Sequence, residues 1–246
     1  ALVYPGGLPI LLKGEPGSGK TYLMRLIQEY CVNNRLLSDS RKSRRIKLNQ
    51  ISDGEQYEKL EQLLSELEDG ILYLEDISAC NARVQERLAE YIANGAKKKG
   101  RSVKKENVRL VMSADEKMFS QISRKLLVNV PVICEIPSWI ERNEDERKAF
   151  VVKFFKEEQE QLGRTLYLSE KLIHKLMNYQ FEHNIAELKQ CVTMVCANAY
   201  AQDSSEESLE IYLYNLPAKL QGSISMKEQD ATLVRLDVIQ SDPVAD

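Results

Sequence analysis

Gly14-Glu15-Pro16-Gly17-Ser18-Gly19-Lys20-Thr21 satisfies the pattern G-x-x-x-x-G-K-[ST], a spacing suited to holding phosphate. Glycines so placed let successive backbone N–H groups curl around phosphate oxygens, and a helix that starts at the end of the loop adds the positive end of its dipole. Lys20 is the candidate for neutralising the β and γ phosphates of a triphosphate, and the Thr21 hydroxyl for coordinating Mg²⁺. Such a pattern has this meaning only between a strand and a helix. Here the apolar run Ile10 to Lys13 precedes it and the amphipathic stretch Tyr22 to Asn33 follows.

Hydrolysis at such a loop needs carboxylates as well, one for the water shell of the metal and one to activate the attacking water. Ile71-Leu72-Tyr73-Leu74-Glu75-Asp76 ends an apolar run in an acidic pair. Two assignments are open. Glu75 holds the metal water and Asp76 the nucleophile, or Asp76 serves the metal and no base is left. The usual order is Asp then Glu. In the reversed order each carboxylate stands one methylene from its usual reach, and small misplacements in catalytic sites are costly. The bland alternative is a pair that merely caps a strand end.

The elements that must position these groups read as an α/β arrangement. Five short aliphatic or branched runs, Ile10 to Lys13, Arg45 to Leu48, Ile71 to Leu74, Val108 to Ser113 and Val132 to Ile136, suit strands buried on both faces. Between them, Tyr22 to Asn33, Glu55 to Leu67, Ala82 to Asn94 and Glu116 to Leu127 carry apolar residues at helical spacing. After Pro137 strand signals nearly stop and three helical patterns follow, which predicts a small all-helical subdomain. Asn143 with Glu146 and Asn184 with Glu187 have capping-box spacing, and a third helix is expected from Ser169. The expected division is 1–138 for the α/β part, 139–220 for the helical part and 221–246 for a tail or linker.

Composition agrees. The chain has 246 residues, 43% hydrophobic and 29% charged, with a net charge of −3 that gives no global steering towards nucleic acid. No signal peptide opens it and no apolar run reaches the ~18 residues of a membrane span, which predicts a cytoplasmic protein without membrane contact. The start at Ala1, shortly before a strand, reads as an excised domain. Cys31, Cys80, Cys134, Cys191 and Cys196 lack zinc-site spacing and read as buried reduced thiols. Two basic loops, Arg41-Lys42-Ser43-Arg44-Arg45 and Lys97-Lys98-Lys99-Gly100-Arg101 with Lys104-Lys105, read as solvated because no aromatic residues interleave them. His174 and His183 have no partner at ligand spacing.

Taken in order, the phosphate loop, the segment Glu141-Arg142-Asn143-Glu144-Asp145-Glu146-Arg147 followed by Phe154-Phe155, and Asn184-Ile185-Ala186-Glu187-Leu188-Lys189 resemble the AAA+ domain of sigma-54-dependent transcription activators. The branch linked to the sugar phosphotransferase system, of the levanase-regulator type, also has counterparts of Tyr4-Pro5 to Leu8, Cys196-Ala197-Asn198-Ala199-Tyr200 and Leu216-Pro217. The resemblance spans roughly 1–220. It implies a P-loop NTPase fold, a five-stranded parallel sheet in the order 5-1-4-3-2 flanked by helices and followed by a helical lid. It also implies ATP and Mg²⁺ as cofactors, a ring of six or seven copies of the chain, and RNA polymerase holoenzyme or another transcription component as partner. DNA contact through this domain is not expected.

Departures from the family pattern matter as much. Members carry a sigma-contacting loop close to G-A-F-T-G-A between the second and third strands, whereas Asn49 to Gly70 holds only Ile51-Ser52-Asp53-Gly54 and a short charged helix. Arginine fingers belong just before the fifth strand, where Val128 and Asn129 stand, with Arg124 and Lys125 one turn upstream. Ser113 or Asp115 occupies the sensor position, and Ala186 replaces a phosphate-sensing arginine. The sequence therefore predicts an ATP-binding AAA+ domain of sigma-54-activator descent in which hydrolysis is weak. The alternatives are a non-hydrolysing nucleotide-dependent interaction module, or an AAA+ remodelling ATPase that does not act on a sigma factor.

Overall fold

The computed structural model buries the three inner strands, Ile10–Gly14, Ile71–Leu74 and Arg109–Asp115, on both faces as their apolar sequences require, but leaves Ser43–Ile46 and Val132–Glu135, expected to be buried too, largely exposed at the sheet edges. It describes residues 1, 3–4, 7–37, 42–67, 69–94, 108–203, 207–221 and 232–239. Strands β1 (Ile10–Gly14), β2 (Ser43–Ile46), β3 (Ile71–Leu74), β4 (Arg109–Asp115) and β5 (Val132–Glu135) form one sheet in the order β2-β3-β4-β1-β5, with every pairing parallel. This is the expected order read from the other edge. Side-chain alternation divides the core. Ile10, Leu12, Ile71, Tyr73 and Val111 pack with Met24, Ile27 and Cys31 of α1 (Lys20–Asn33) on one face. Leu11, Leu72, Leu74, Leu110 and Met112 pack on the other with α2 (Asp53–Glu66) and α3 (Ala82–Asn94).

Two local expectations change. The second strand ends at Ile46, and Leu48–Gln50 form a 3₁₀ turn instead of continuing it. The helix expected over Glu116 to Leu127 is broken into a 3₁₀ turn, Phe119–Gln121, and a short helix α4 (Arg124–Asn129). Ser123 is responsible, because its hydroxyl accepts from the Leu126 backbone N–H at 3.2 Å and so begins a new helix.

The chain divides into two compact units, Ala1–Ile136 and Pro137–Asp246. The second holds α5 (Glu144–Leu162), α6 (Glu170–Asn178), α7 (Asn184–Tyr200) and the short α8 (Ala218–Gln221) around Trp139, Phe155, Leu176 and Leu188. Asn143 caps α5 through the Glu146 N–H at 2.8 Å, and Ser169 caps α6 through Leu172 N–H at 3.2 Å. The cap at α7 is shifted by one residue. Glu187 accepts from the His183 N–H at 3.0 Å, while Asn184, with φ 52°, turns its carbonyl oxygen to the Trp139 N–H at 2.6 Å.

An all-helical second unit is not what forms. Strand β6 (Thr165–Ser169) lies between β7 (Ser208–Ile211), parallel to it, and β8 (Leu233–Arg235), antiparallel to it. β8 falls in the stretch expected to be a tail, and Leu236, just after it, is fully buried. Strands of three to five residues set between helices leave too short an alternation to register against helical periodicity.

Candidate nucleotide-binding site

The glycine loop leaves the tip of β1 and runs straight into α1. A Cβ on Gly14 would come within 2.9 Å of the Ile136 carbonyl oxygen, so strand pairing with β5 itself demands glycine there. Gly17 and Gly19 take φ of 76° and 110°, a region other residues enter only at a cost. At Gly19 an added Cβ meets nothing within 4 Å, so its backbone conformation and not crowding is what calls for glycine there. No acidic residue occupies the first turn of α1, so the positive end of its dipole is not neutralised from within the helix.

Lys20 closes the loop. Its Nζ donates to the carbonyl oxygens of Gly14 at 2.6 Å and Glu15 at 2.8 Å. Burial pushes its ammonium below the ordinary value, and the carboxylates of Asp115, Asp76, Glu116 and Glu15 pull it back up only in part. A part-buried cation at the N-terminus of a helix is an anion-binding arrangement. Thr21 is exposed at the head of α1, while Ser18 is buried within the loop.

The two acidic residues part company in space. Glu75 follows Tyr73 on the α1 face of the sheet, and its carboxylate pairs with the Arg45 guanidinium on β2. The strand register brings them together, since the Glu75 N–H donates to the Ile46 carbonyl at 2.9 Å. Asp76 adopts the left-handed conformation, φ 57°. Its Oδ2 accepts from Asn49 Nδ2 at 3.2 Å and lies 3.8 Å from Lys47 Nζ, while Oδ1 accepts from the Ser78 hydroxyl at 3.0 Å. The Asp76 N–H donates to Ser113 Oγ at 3.1 Å, so the sensor-position serine touches the pair through its backbone. Of the pair, Asp76 is the one whose charge acts on Lys20. Asp115 acts on Lys20 too, while its own Oδ1 accepts from the Lys117 N–H.

On the α1 side, a cavity of about 360 Å³ is lined by Thr21, Arg25, Gln28, Arg45 and Tyr73 among others. Arg124 opens α4, Lys125 pairs with Glu90 at 3.4 Å, and Val128 is 76% exposed. Ala186, His174 and His183 are exposed. Of the basic loops, Arg41 and 95–107 lie outside the described residues; Arg45 belongs to the acidic pair, not to a free solvated loop. The cysteines are all free, and four are buried as expected, but Cys134 on β5 is exposed. Its strand is at the sheet edge, where one flank has no neighbour.

Sequence reasoning missed Arg45, Lys47, Asn49 and Ser78 as partners of the acidic pair. It also missed Gln85, whose amide ties together the turns that follow β3 and β4. Only the parallel β2–β3 register, invisible in a linear pattern, would have placed Arg45 beside Glu75. Among the described residues no group of three His, Cys, Asp or Glu can hold a metal ion by itself, and no helix is long and apolar enough to cross a membrane.

The sheet order, the loop at the tip of β1 and the acidic pair at the end of β3 are the framework of P-loop AAA+ proteins. The sigma-54 interaction domain matches residues 2–132, more than half of the chain. The chain belongs to this family. Two similar proteins are the transcriptional regulatory protein DagR of Salmonella typhimurium, 26% identical over 238 residues, and LevR of Bacillus subtilis, 24% identical over 237 residues. These alignments take in 85% and 88% of this chain but 24% and 25% of those proteins, so this domain spans about a quarter of the length of its relatives. In solved structures the fold is similar to NtrX from Brucella abortus in complex with ADP, with TM-score 0.67 and 19% identity over 89% of this chain and 51% of NtrX. A RuvB variant from Thermotoga maritima shares it at TM-score 0.60 and 15% identity, over 82% of this chain and 58% of RuvB.

Proposed function

We propose that this sigma-54 interaction domain binds ATP at the loop Gly14 to Thr21 and uses it to regulate transcription, with slow hydrolysis. The observation that carries this reading is Lys20, part-buried and folded onto the Gly14 and Glu15 carbonyls at the end of a loop that turns through positive φ at Gly17 and Gly19. An ammonium has three donors, so Lys20 can keep both carbonyls while meeting a phosphate oxygen. The backbone amides from Gly17 to Thr21 would wrap the phosphates. NtrX, a fold neighbour, has been solved in complex with ATP and with ADP, which is consistent with this assignment.

Mg²⁺, when bound, would supply charge neutralisation for the phosphate oxygens. The Thr21 hydroxyl and the carboxylates of Glu75 and Asp76 are hard oxygen donors of the type it takes, and too few to cage it without substrate, which fits a site completed by phosphate and water. Asp76 acts on Lys20 and would be the group to orient the attacking water, while Glu75 would be the carboxylate to meet the water shell of the metal. Asp76 is one methylene shorter than the usual base, which supports slow turnover. α2 is an uninterrupted 14-residue helix, and no G-A-F-T-G-A stretch occurs in the chain, which supports a domain without the usual sigma-contacting loop. In this reading the domain works in the cytoplasm within a larger regulator, in rings of six or seven copies that act on RNA polymerase holoenzyme or another transcription component. Nucleotide is shared between neighbours and the domain makes no DNA contact of its own.

Titration with a fluorescent ATP analogue tests it. Binding is expected in the micromolar range and lost in Lys20→Ala; equal signals from the two proteins would refute it. Steady-state phosphate release that rises steeply with protein concentration is the expected mark of shared sites.

A further inference from the structure

Glu75 and Thr21 are the groups on the α1 side of the site that a divalent cation would use, and the structure already puts a cation there. The Arg45 guanidinium pairs with the Glu75 carboxylate and lines the same cavity as Thr21. Glu75's side chain is only 16% exposed, so its charge depends on a near partner, and among the described residues that partner is Arg45. The pairing follows from the fold. Parallel register sets Arg45 opposite Tyr73, and Tyr73 and Glu75 share a face, so the long arginine side chain spans one residue diagonally to reach the carboxylate. Asp76, by contrast, is held by Asn49, Ser78 and Lys47 on its own side.

We propose that Arg45 is a built-in counter-cation for Glu75: it competes with the divalent metal for that carboxylate and makes nucleotide binding at the phosphate loop largely independent of Mg²⁺. The inference rests on the ATP-binding reading above and specifies its metal requirement. A guanidinium and a divalent ion drawn to one carboxylate repel each other, so each weakens the other's hold on it. The charge that Mg²⁺ would bring to the Glu75 side is therefore partly supplied by the chain itself.

The test is the affinity of the full chain for the fluorescent ATP analogue in Mg²⁺ and in EDTA, with Mn²⁺ uptake by the nucleotide complex read from paramagnetic resonance. The unaltered protein should bind nucleotide within about threefold of equally in the two buffers. Arg45→Gln should bind at least about tenfold more tightly with Mg²⁺ than in EDTA and take up Mn²⁺ at lower concentration. Arg45→Lys, which keeps the charge, should stay close to the parent. A parent protein that gains tenfold from Mg²⁺, or an Arg45→Gln protein indistinguishable from it, would overturn the proposal. Should Arg45→Gln not fold, Arg45→Met, which keeps an unbranched stem and removes the charge, is read in the same two buffers. It too should bind at least about tenfold more tightly with Mg²⁺ than in EDTA, and equal binding in the two would reject the counter-cation role. Nucleotide binding absent from the parent in both buffers, as in Lys20→Ala, would remove the ATP reading and this inference with it, whereas strongly metal-dependent binding removes the inference alone.

Discussion

Replacing Gln85 with Leu should destabilise the first unit by about 1–4 kcal/mol, although Gln85 touches neither the phosphate loop nor the acidic pair. Gln85 is 4% exposed. Its Oε1 accepts from the Ser123 N–H at 2.6 Å, and its Nε2 is directed at the carbonyl oxygens of Ile77, Cys80 and Gln121 at 3.3, 3.1 and 3.4 Å. Leucine fills nearly the same volume, so the loss is almost wholly polar. The Ser123 N–H loses its acceptor, at about 1–3 kcal/mol for a buried donor left unmade. The three carbonyls share two amide hydrogens and lose about another 1–2 kcal/mol together, since the Ile77 carbonyl still accepts from the Cys80 N–H. The greater apolarity of leucine returns roughly 1 kcal/mol. With a urea slope of about 2 kcal/mol per molar, the midpoint of the far-ultraviolet circular dichroism transition should fall by about 0.5–2 M. Amide exchange at Ser123 should accelerate selectively. Gln85→Glu keeps an acceptor for Ser123 but faces a carboxylate with three carbonyl oxygens, so it should be at least as unstable at neutral pH and recover on acidification. A Gln85→Leu midpoint within about 0.3 M of the parent, with Ser123 still protected, would refute the idea that this amide holds the turns after β3 and β4 in place.

Other outcomes follow from the same geometry. Exchanging the acidic pair, Glu75→Asp with Asp76→Glu, should raise phosphate release by about tenfold or more by restoring the usual reach of the base, and ordinary turnover in the unaltered chain would contradict the diagnosis. Burial pushes the Glu187 carboxyl up, but the His183 N–H and the Lys219 ammonium outweigh it and hold it below the usual value. Its stabilisation is then complete above the unfolded carboxylate value and disappears as pH falls through the lower folded one. The urea-midpoint gap between the parent and Glu187→Gln should accordingly be constant above about pH 5.5 and close on acidification. Burial raises the Cys80 and Cys191 thiols to about 12, whereas Cys134 is exposed. One thiol per chain should therefore react quickly with a disulfide reagent under native conditions, and Cys134→Ser should abolish that fast phase.

Much of this protein was written in local order. The spacing of Gly14, Gly17, Gly19 and Lys20 gave the loop, because backbone conformation at glycine and the reach of a lysine are properties of neighbouring residues. Ile71 to Leu74 and Ala82 to Asn94 came out with the expected bounds because an unbroken apolar run and a strong helical period each have a single good solution. Asn143 was legible as a cap for the same local reason, and the helix expected from Ser169 starts one residue later with Ser169 as its cap. Asn184 was not legible. A distant backbone donor at Trp139 took its side chain, and no pattern within three residues reveals that competition.

What the tertiary structure alone decided are the relations between segments far apart in the chain. The strand register sent Glu75 to Arg45 and left Asp76 beside Asn49 and Lys47, so two adjacent carboxylates with one sequence signature gained different surroundings. Three short strands from 165 to 235 found one another across 43 and 68 residues of register, turning an apparent helical lid and tail into a unit with its own sheet. The physical reason is the same in each case. Local torsions and hydrophobic period are fixed by near neighbours, whereas hydrogen bonds and charge pairs between strands depend on which backbone groups the fold brings opposite one another.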